Sequence, residues 1–111
     1  MEKAGPLPPA TLLVLLALSG GDRHGYGIRQ DARQLDPTFE LGPATLYTTI
    51  QRLLEGGWIK EVAGPETGGR PRRYYRMTKD GNAALDAELQ RMESVLHKSK
   101  TLRLRPAKAQ S

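Results

Sequence analysis

The segment from Pro43 to Arg52 carries side chains that can form hydrogen bonds, and it contains no acidic residue. Its apolar residues recur at helical spacing, which predicts one buried helix face made of Leu46, Ile50, Leu53 and Leu54. Helical geometry puts the other side chains on the exposed face, namely Ala44, Thr45, Thr48, Gln51 and Arg52. Thr, Gln and Arg can contact base edges when a helix lies in the major groove of DNA. The alternative is an ordinary solvated face, although such a face more often carries Glu–Lys pairs.

Tyr47 lies beside this face, and two roles are open to it. Its phenol can reach a phosphate oxygen, or its ring can pack at the rim of the core. Pro43 would stand at the first position of the helix, where backbone N–H groups can face a phosphate.

A second candidate group is the stretch from Thr67 to Lys79, which also lacks acidic residues. Three arginines, Arg70, Arg72 and Arg73, are expected on a hairpin directly after the helix that is predicted to contact DNA bases. Arginine on such a hairpin can neutralise phosphates or enter a minor groove. Charged residues on an exposed strand can instead prevent edge pairing. We favour DNA contact, because lysine would serve edge protection equally well.

Positive charge is concentrated in two places. The formal net charge is +5, and residues 97–111 account for all of it with Lys98, Lys100, Arg103, Arg105 and Lys108 and no acid. The rest of the chain is neutral overall, and within it the basic stretch is the predicted hairpin. Charge focused in this way indicates a surface that binds a polyanion.

Proline and glycine residues divide the first half of the chain into three predicted helices. One follows Pro8 and Pro9 and ends at Gly20-Gly21, a second runs from about Gly25 to Leu35, and a third runs from Pro43 to Gly56-Gly57. His24 is expected to order the turn into the second helix. The residues of that helix expected to face inward are Tyr26, Ile28, Ala32 and Leu35.

The second half predicts a two-stranded β-wing and one long helix. Residues 58–62 and 72–77 have the composition of strands, with Tyr74 or Tyr75 directed to the core, and 63–71 form the hairpin tip. Thr78 is a suitable N-cap for a helix that continues to around Lys100. The predicted fold is therefore mainly α with a small two-stranded wing. We expect a DNA-binding domain over 7–78, a dimerisation helix over 79–100 and a flexible basic tail over 101–111.

The last helix carries an apolar seam. Leu85, Leu89, Met92, Leu96 and Ser99 follow an alternating four- and three-residue spacing. This seam can fold back on the protomer's own core or pair with a second copy. A helix of this length outreaches so small a domain. We therefore expect a homodimer whose interface also uses the first helix through Leu12, Leu15 and Leu16.

Composition limits the remaining possibilities. A chain of 111 residues fits one domain, and the absence of cysteine removes disulfides and thiol chemistry. We expect a cytoplasmic protein with no membrane span, because the most apolar run, Leu12 to Leu18, is far shorter than a bilayer requires. With His24 and His97 as the only histidines, we expect no metal site, no cofactor and no enzymatic activity.

Three sequence segments resemble the PadR family of bacterial transcriptional regulators in order and spacing. They are "ATLLVLLALSGGDRHGYGI", "LGPATLYTTIQRLLEGGWIKEV" and "GRPRRYYRMTKDGNAAL". The resemblance implies a homodimeric winged helix-turn-helix repressor of the short type, with one C-terminal helix. It also implies DNA contacts at Pro43, Thr45, Tyr47, Thr48, Gln51 and the wing arginines. Some short members bind flat drugs on aromatic residues, but this chain has no aromatic residue after Tyr75. We expect no such ligand, and the inducer is unknown.

Two hypotheses follow from these observations. The first is a regulator that binds double-stranded DNA at an inverted-repeat operator. The second is a winged-helix adaptor that binds protein, since the fold alone does not determine function. The two acid-free surfaces favour DNA, because an adaptor has no reason to keep them.

Overall fold

A computed structural model describes residues 6–65 and 72–105, which form four helices and three strands. In chain order these are α1 (Pro9–Leu18), β1 (Arg23–His24), α2 (Gly25–Leu35), α3 (Pro43–Glu55), β2 (Ile59–Val62), β3 (Tyr74–Met77) and α4 (Lys79–Arg103). The mainly helical fold with a small antiparallel sheet is the one the sequence predicts.

The sheet has three strands, where the sequence predicts two. β3 lies in the centre, pairing with β2 through Ile59↔Met77 and with β1 through Arg23↔Tyr75. β1 has only two residues, which is too short to show an alternating pattern in the sequence. An ion pair next to it, Arg76 Nη2 to Asp22 Oδ2 at 2.8 Å, helps to hold β1 against β3. β1, the strand that the sequence does not predict, therefore depends on a contact between residues far apart in the chain.

The core is built around α1, which is apolar on nearly every side. Val14 and Leu15 have no exposed surface, and α1 contacts α2, α3, β3 and α4. Ile28 and Leu53 are also fully buried, and Trp58 closes the core after α3. A helix that is apolar all round has to be covered on several sides. The surrounding elements provide that cover.

Two residues expected to face inward on α2 are exposed. Tyr26 is 58% exposed and Leu35 is 50% exposed, whereas Ile28 and Ala32 are buried as predicted. Tyr26 lies on the side of α2 opposite Ile28. Leu35 is the last residue of the helix.

Helix α4 begins in the core and then leaves it. Its Thr78 cap accepts a hydrogen bond from the Gly81 N–H at 3.1 Å, as the predicted N-cap requires. The buried residues of α4 are all in its first ten, and each residue from Leu89 to Lys98 is exposed. With 25 residues the helix is about 37 Å long at about 1.5 Å per residue. The radius of gyration is accordingly 17.3 Å, against about 13 Å for a compact chain of this length.

The C-terminal boundary of α4 differs from the expected one. The helix continues to Arg103, three residues past Lys100, because no glycine or proline interrupts it before Pro106. Thr101 to Arg103 therefore belong to the helix and not to a flexible tail. Residues 106–111 of the predicted tail lie outside the described residues.

A buried carboxylate marks the point where α4 leaves the core. Glu88 is only 5% exposed, and both of its oxygens accept hydrogen bonds from Arg91, at 2.8 and 2.9 Å. The Arg91 guanidinium, with help from the Leu7 backbone N–H, lowers the pKa of Glu88. This pair, in which both residues belong to α4, compensates the charge of the buried carboxylate.

Within residues 6–65 and 72–105, no helix combines the length and apolarity that a membrane crossing needs.

The close approach of α4 to the strand region provides a stability test at Gly81. A Cβ at this position would lie 2.1 Å from the Trp58 carbonyl oxygen, which is backbone and cannot turn away. We expect Gly81→Ala to destabilise the protein by about 1–3 kcal/mol, despite the better helix propensity of alanine. Urea unfolding measures this change. Asn82→Ala is the control, since it places alanine at an exposed position on the same turn of α4; equal stability of the two variants would contradict the packing argument.

Candidate nucleic-acid interface

The face of α3 that is predicted to contact DNA bases is on the surface of the protein. Pro43, Thr45, Thr48, Gln51 and Arg52 are all exposed, while Leu46, Ile50 and Leu53 are buried. The buried face also includes Thr49, which the sequence pattern missed, and Leu54 is only partly buried. Gln51 Nε2 donates to Glu55 Oε2 at 3.1 Å, so an acidic residue stands at the C-terminal end of the face. The stretch before it carries no negative charge.

Tyr47 lies beside the exposed face of α3, and its ring lies against the start of α2. Its side chain is 56% exposed, and a Cβ on Gly25 would be 2.9 Å from its hydroxyl oxygen. Glycine at position 25 is therefore what allows the phenol to lie there. Of the two roles that the sequence leaves open, this geometry favours an accessible hydroxyl over packing in the core.

The wing arginines differ in their surroundings. Arg73 Nε lies 3.8 Å from Glu61 Oε2 across the strand pair, and both side chains are largely exposed. Arg72 Nη1 lies 3.0 Å from His24 Nε2. Arg70 lies outside the described residues. Arg76, which adds to the basic stretch in the sequence, is paired with Asp22 and contributes mainly to the sheet.

Of the two wing tyrosines, Tyr75 is the core residue, with 4% exposure, and Tyr74 is partly buried. Burial raises the pKa of Tyr75, so its hydroxyl keeps its proton. The ring of Tyr74 meets the ring of His24 edge to face, with centroids 5.3 Å apart. The two tyrosines thus connect the wing to the core and to the start of α2.

His24 caps α2, in agreement with the expectation that it orders this turn. Its Nδ1 accepts a hydrogen bond from the Gly27 N–H at 3.1 Å. Burial, and then the nearby Arg72 cation, lower the pKa of His24. Both causes favour the neutral ring, which is the form that can cap the helix. The contact of His24 with Arg72 was not predicted, because 48 residues separate the two.

These elements enclose a pocket of about 280 Å³ between the start of α2, α3 and the wing. Its lining consists of His24, Gly25, Tyr26, Tyr47, Arg72, Arg73 and Tyr75. Tyr47 is the residue through which α3 lines the pocket. A basic and hydrogen-bonding concavity beside an acid-free helix face is suited to a polyanion.

Three helices and a hairpin, with the third helix exposed beside the hairpin, define a winged helix-turn-helix domain. The family model of the PadR-like transcriptional regulators matches residues 13–87, and the chain belongs to this family.

Individual relatives agree with this placement. An uncharacterised protein of Lysinibacillus sphaericus is 35% identical over 74 residues, which are 66% of this chain and 68% of that protein. A PadR family transcription regulator of Clostridium difficile R20291 has a similar fold, with a TM-score of 0.74 and 22% identity over 86% of this chain and 98% of that chain. Bacillus subtilis PadR, solved in complex with operator DNA, has a TM-score of 0.63 and 20% identity over 71% of this chain and 45% of that chain.

The capping role of His24 predicts a dependence of stability on pH. Because the folded state lowers the pKa of His24, the stabilisation is complete above its ordinary value of 6.5 and is lost as the pH falls through the lowered pKa. We expect His24→Asn, whose side-chain oxygen can still cap α2, to lose less stability between about pH 7.5 and pH 5. We expect His24→Ala to lose about 1 kcal/mol at neutral pH. Urea unfolding across this pH range measures both effects, and identical pH profiles for the wild type and His24→Asn would show that the ring does not cap as described.

Proposed function

We propose that this protein binds double-stranded DNA sequence-specifically as a homodimer and represses transcription at an inverted-repeat operator. One observation carries the proposal. The exposed face of α3 is free of acid from Pro43 to Arg52 and lies beside the basic wing. Bacillus subtilis PadR, which has a similar fold, was solved in complex with operator DNA, and this supports a DNA-binding role.

In this proposal α3 enters the major groove along its exposed face. Thr45, Thr48 and Gln51 face the bases, and Arg52 reaches a base or the adjacent backbone. The bond from Gln51 to Glu55 spans one helical turn on the surface, so it can be exchanged for a base contact. Pro43 and Tyr47 lie at the edge of this surface, where the phosphates that border the groove would pass.

The wing supplies charge to the adjacent backbone. Arg72 is exposed, and its guanidinium lies 3.0 Å from His24 at the start of α2, in the pocket that Tyr47 of α3 also lines. Arg73 is mostly exposed, and an ion pair as long as 3.8 Å holds it only weakly. Arg70 belongs to the same basic stretch of sequence. Phosphate contacts of this kind contribute affinity that falls with salt, and they contribute little sequence preference.

Homodimer formation is supported by the exposed stripe on α4. The stripe contains three residues of the predicted seam, Leu89, Met92 and Leu96, and the structure adds Val95 and Leu102. These side chains are between 38% and 58% exposed, on a helix that projects from the domain. A continuous apolar stripe of this kind typically marks an interface. A second copy of α4 offers the same stripe in a two-fold arrangement.

The predicted interface set needs a correction. Leu15 is fully buried and Leu85 is 2% exposed, so both belong to the core of the protomer and have no surface to offer a partner. The seam spacing begins at Leu85 because the same stripe that faces the core continues outward along α4. Leu12 and Leu16 are partly buried and keep some surface, so they stay in the proposed interface.

Base contacts and phosphate contacts should respond differently to mutation. We expect Gln51→Ala to weaken operator binding by about 1–3 kcal/mol and to leave binding to scrambled duplex almost unchanged. We expect Arg72→Ala to weaken binding to both duplexes and to reduce the log-log salt slope by about one for each lost phosphate contact. Titrations of both variants at several salt concentrations, on an operator selected from a random DNA pool, measure these effects.

Two outcomes would contradict this assignment. If neither substitution changes binding to either duplex, the surface does not bind DNA and the adaptor hypothesis replaces ours. If the two effects are exchanged, the wing reads the sequence and the orientation of the domain on DNA is different.

The dimer proposal is tested on the exposed part of α4. We expect wild-type protein to sediment as a dimer at micromolar concentration and Leu96→Lys to shift it strongly toward monomer, because a charge would be buried in the seam. Gln90→Lys is the control, since it adds the same charge on another side of the helix and both substitutions preserve helix propensity. Sedimentation equilibrium gives the masses. A monomeric wild type, or equal dissociation of both variants, would refute the interface.

A further inference from the structure

The pocket between α2, α3 and the wing brings together three hydrogen-bond donors from distant parts of the chain. They are the His24 ring, the Arg72 guanidinium and the Tyr47 hydroxyl, and all three line the same cavity of about 280 Å³. His24 Nε2 and Arg72 Nη1 are 3.0 Å apart. The Tyr47 hydroxyl lies against Gly25, the residue that follows His24, because Gly25 has no side chain.

The cap on α2 determines which nitrogen of His24 carries the proton. Nδ1 accepts from the Gly27 N–H, so in the neutral ring the proton is on Nε2. Nε2–H is then a donor, and the guanidinium of Arg72 beside it has only donors. Two donors 3.0 Å apart do not bond to each other. They are instead placed to share an acceptor.

We propose that this pocket binds one phosphodiester group of the DNA backbone, with Nε2–H of His24, the Arg72 guanidinium and the Tyr47 hydroxyl as its ligands. This inference rests on the proposed function. It assigns His24 a second role beside capping, and it makes the wing and the start of α2 two sides of one phosphate site.

The chemistry of the pocket fits a phosphodiester. A phosphodiester carries one negative charge on two oxygens, which can accept from several donors at once. The ring of His24 is fixed from both sides, with Tyr26 stacked at 6.4 Å and Tyr74 edge-on at 5.3 Å, so the direction of Nε2–H is set before any ligand arrives. The pocket also adjoins α3, where the backbone that borders a major groove would pass.

Substitution of His24 separates capping from phosphate binding. In His24→Asn the side-chain oxygen can replace Nδ1 as the cap, but the side chain is too short to reach the pocket. We expect His24→Asn to keep the thermal stability of the wild type at neutral pH and to bind operator and scrambled duplex at least about tenfold more weakly. We expect Tyr47→Phe to weaken binding to both duplexes in the same way. Ser19→Ala, which removes an exposed hydroxyl at the end of α1 and outside the pocket lining, is the control and should bind as the wild type does.

The phosphate that the pocket binds is located by replacing single phosphates of the DNA with an uncharged group. Duplexes carrying a single methylphosphonate per half-site are tested one position at a time against the wild type and His24→Asn. We expect one position at which the replacement weakens the wild type and has no further effect on His24→Asn. If every sensitive position weakens both proteins by the same factor, His24 does not bind a backbone phosphate and the proposal fails.

Nitrogen NMR of His24 tests the premise and the source of the phosphate. In the free protein we expect a protonated Nε2 and an unprotonated Nδ1, and on addition of duplex we expect the Nε2 signal to shift. The opposite tautomer would overturn the proposal. So would a signal that shifts with inorganic phosphate and not with duplex, because the pocket would then serve a free anion. If the wild type binds DNA and His24→Asn binds it equally well, the pocket proposal alone is overturned. If the wild type does not bind DNA, the proposed function is overturned as well.

Discussion

The need to cover α1 on nearly all sides is the constraint on which the rest of the structure depends. Val14 and Leu15 have no exposed surface, and α2, α3, β3 and α4 all contact this helix. Burying its leucines contributes about 1.5–3 kcal/mol for each fully buried side chain. Because α3 gives its apolar face to this core, its polar face has to point outward. The candidate reading surface is therefore a consequence of how α1 is buried.

The candidate site is formed by contacts between elements that are distant in the sequence. β1 ends at His24, and β3 begins at Tyr74, two residues after Arg72, so the pairing of β1 with β3 brings the start of α2 next to the wing. Asp22 and Arg76 hold this pairing from one side, and the edge-to-face contact of His24 with Tyr74 holds it from the other. α3 then contributes Tyr47, for which Gly25 leaves room. Three elements that are separate in sequence thus form one basic pocket.

Helix α4 combines two environments in one continuous helix. Its first ten residues complete the protomer core, with Gly81 in close contact with Trp58 and Leu85 buried. Beyond the Glu88–Arg91 pair it has left the domain, and its apolar stripe faces outward. One heptad-like pattern therefore serves two kinds of burial, within the protomer and, in the proposed dimer, between protomers. Periodicity in sequence reports that a face is apolar, but it does not say what covers that face.

The sequence by itself determined the helices, the wing strands and the polar face of α3. Those features follow from proline and glycine punctuation and from helical periodicity, which are local properties of the chain. Thr78 as an N-cap and His24 as the residue that orders the turn into α2 were predictable for the same reason. The resemblance of three segments to one family added the function class, and the family match over residues 13–87 confirms it.

Only the tertiary structure decided the features that depend on distant contacts. β1 forms because β3 lies beside it, and two residues carry no periodicity to reveal a strand. Tyr26 and Leu35 are exposed, although the sequence pattern predicts that they face inward. Leu15 and Leu85 are in the core because α1 and α4 meet there. Arg72 and His24 are 48 residues apart in the chain and 3.0 Å apart in the fold. Local sequence patterns do not encode such proximity, since it results from packing the whole chain around one apolar helix.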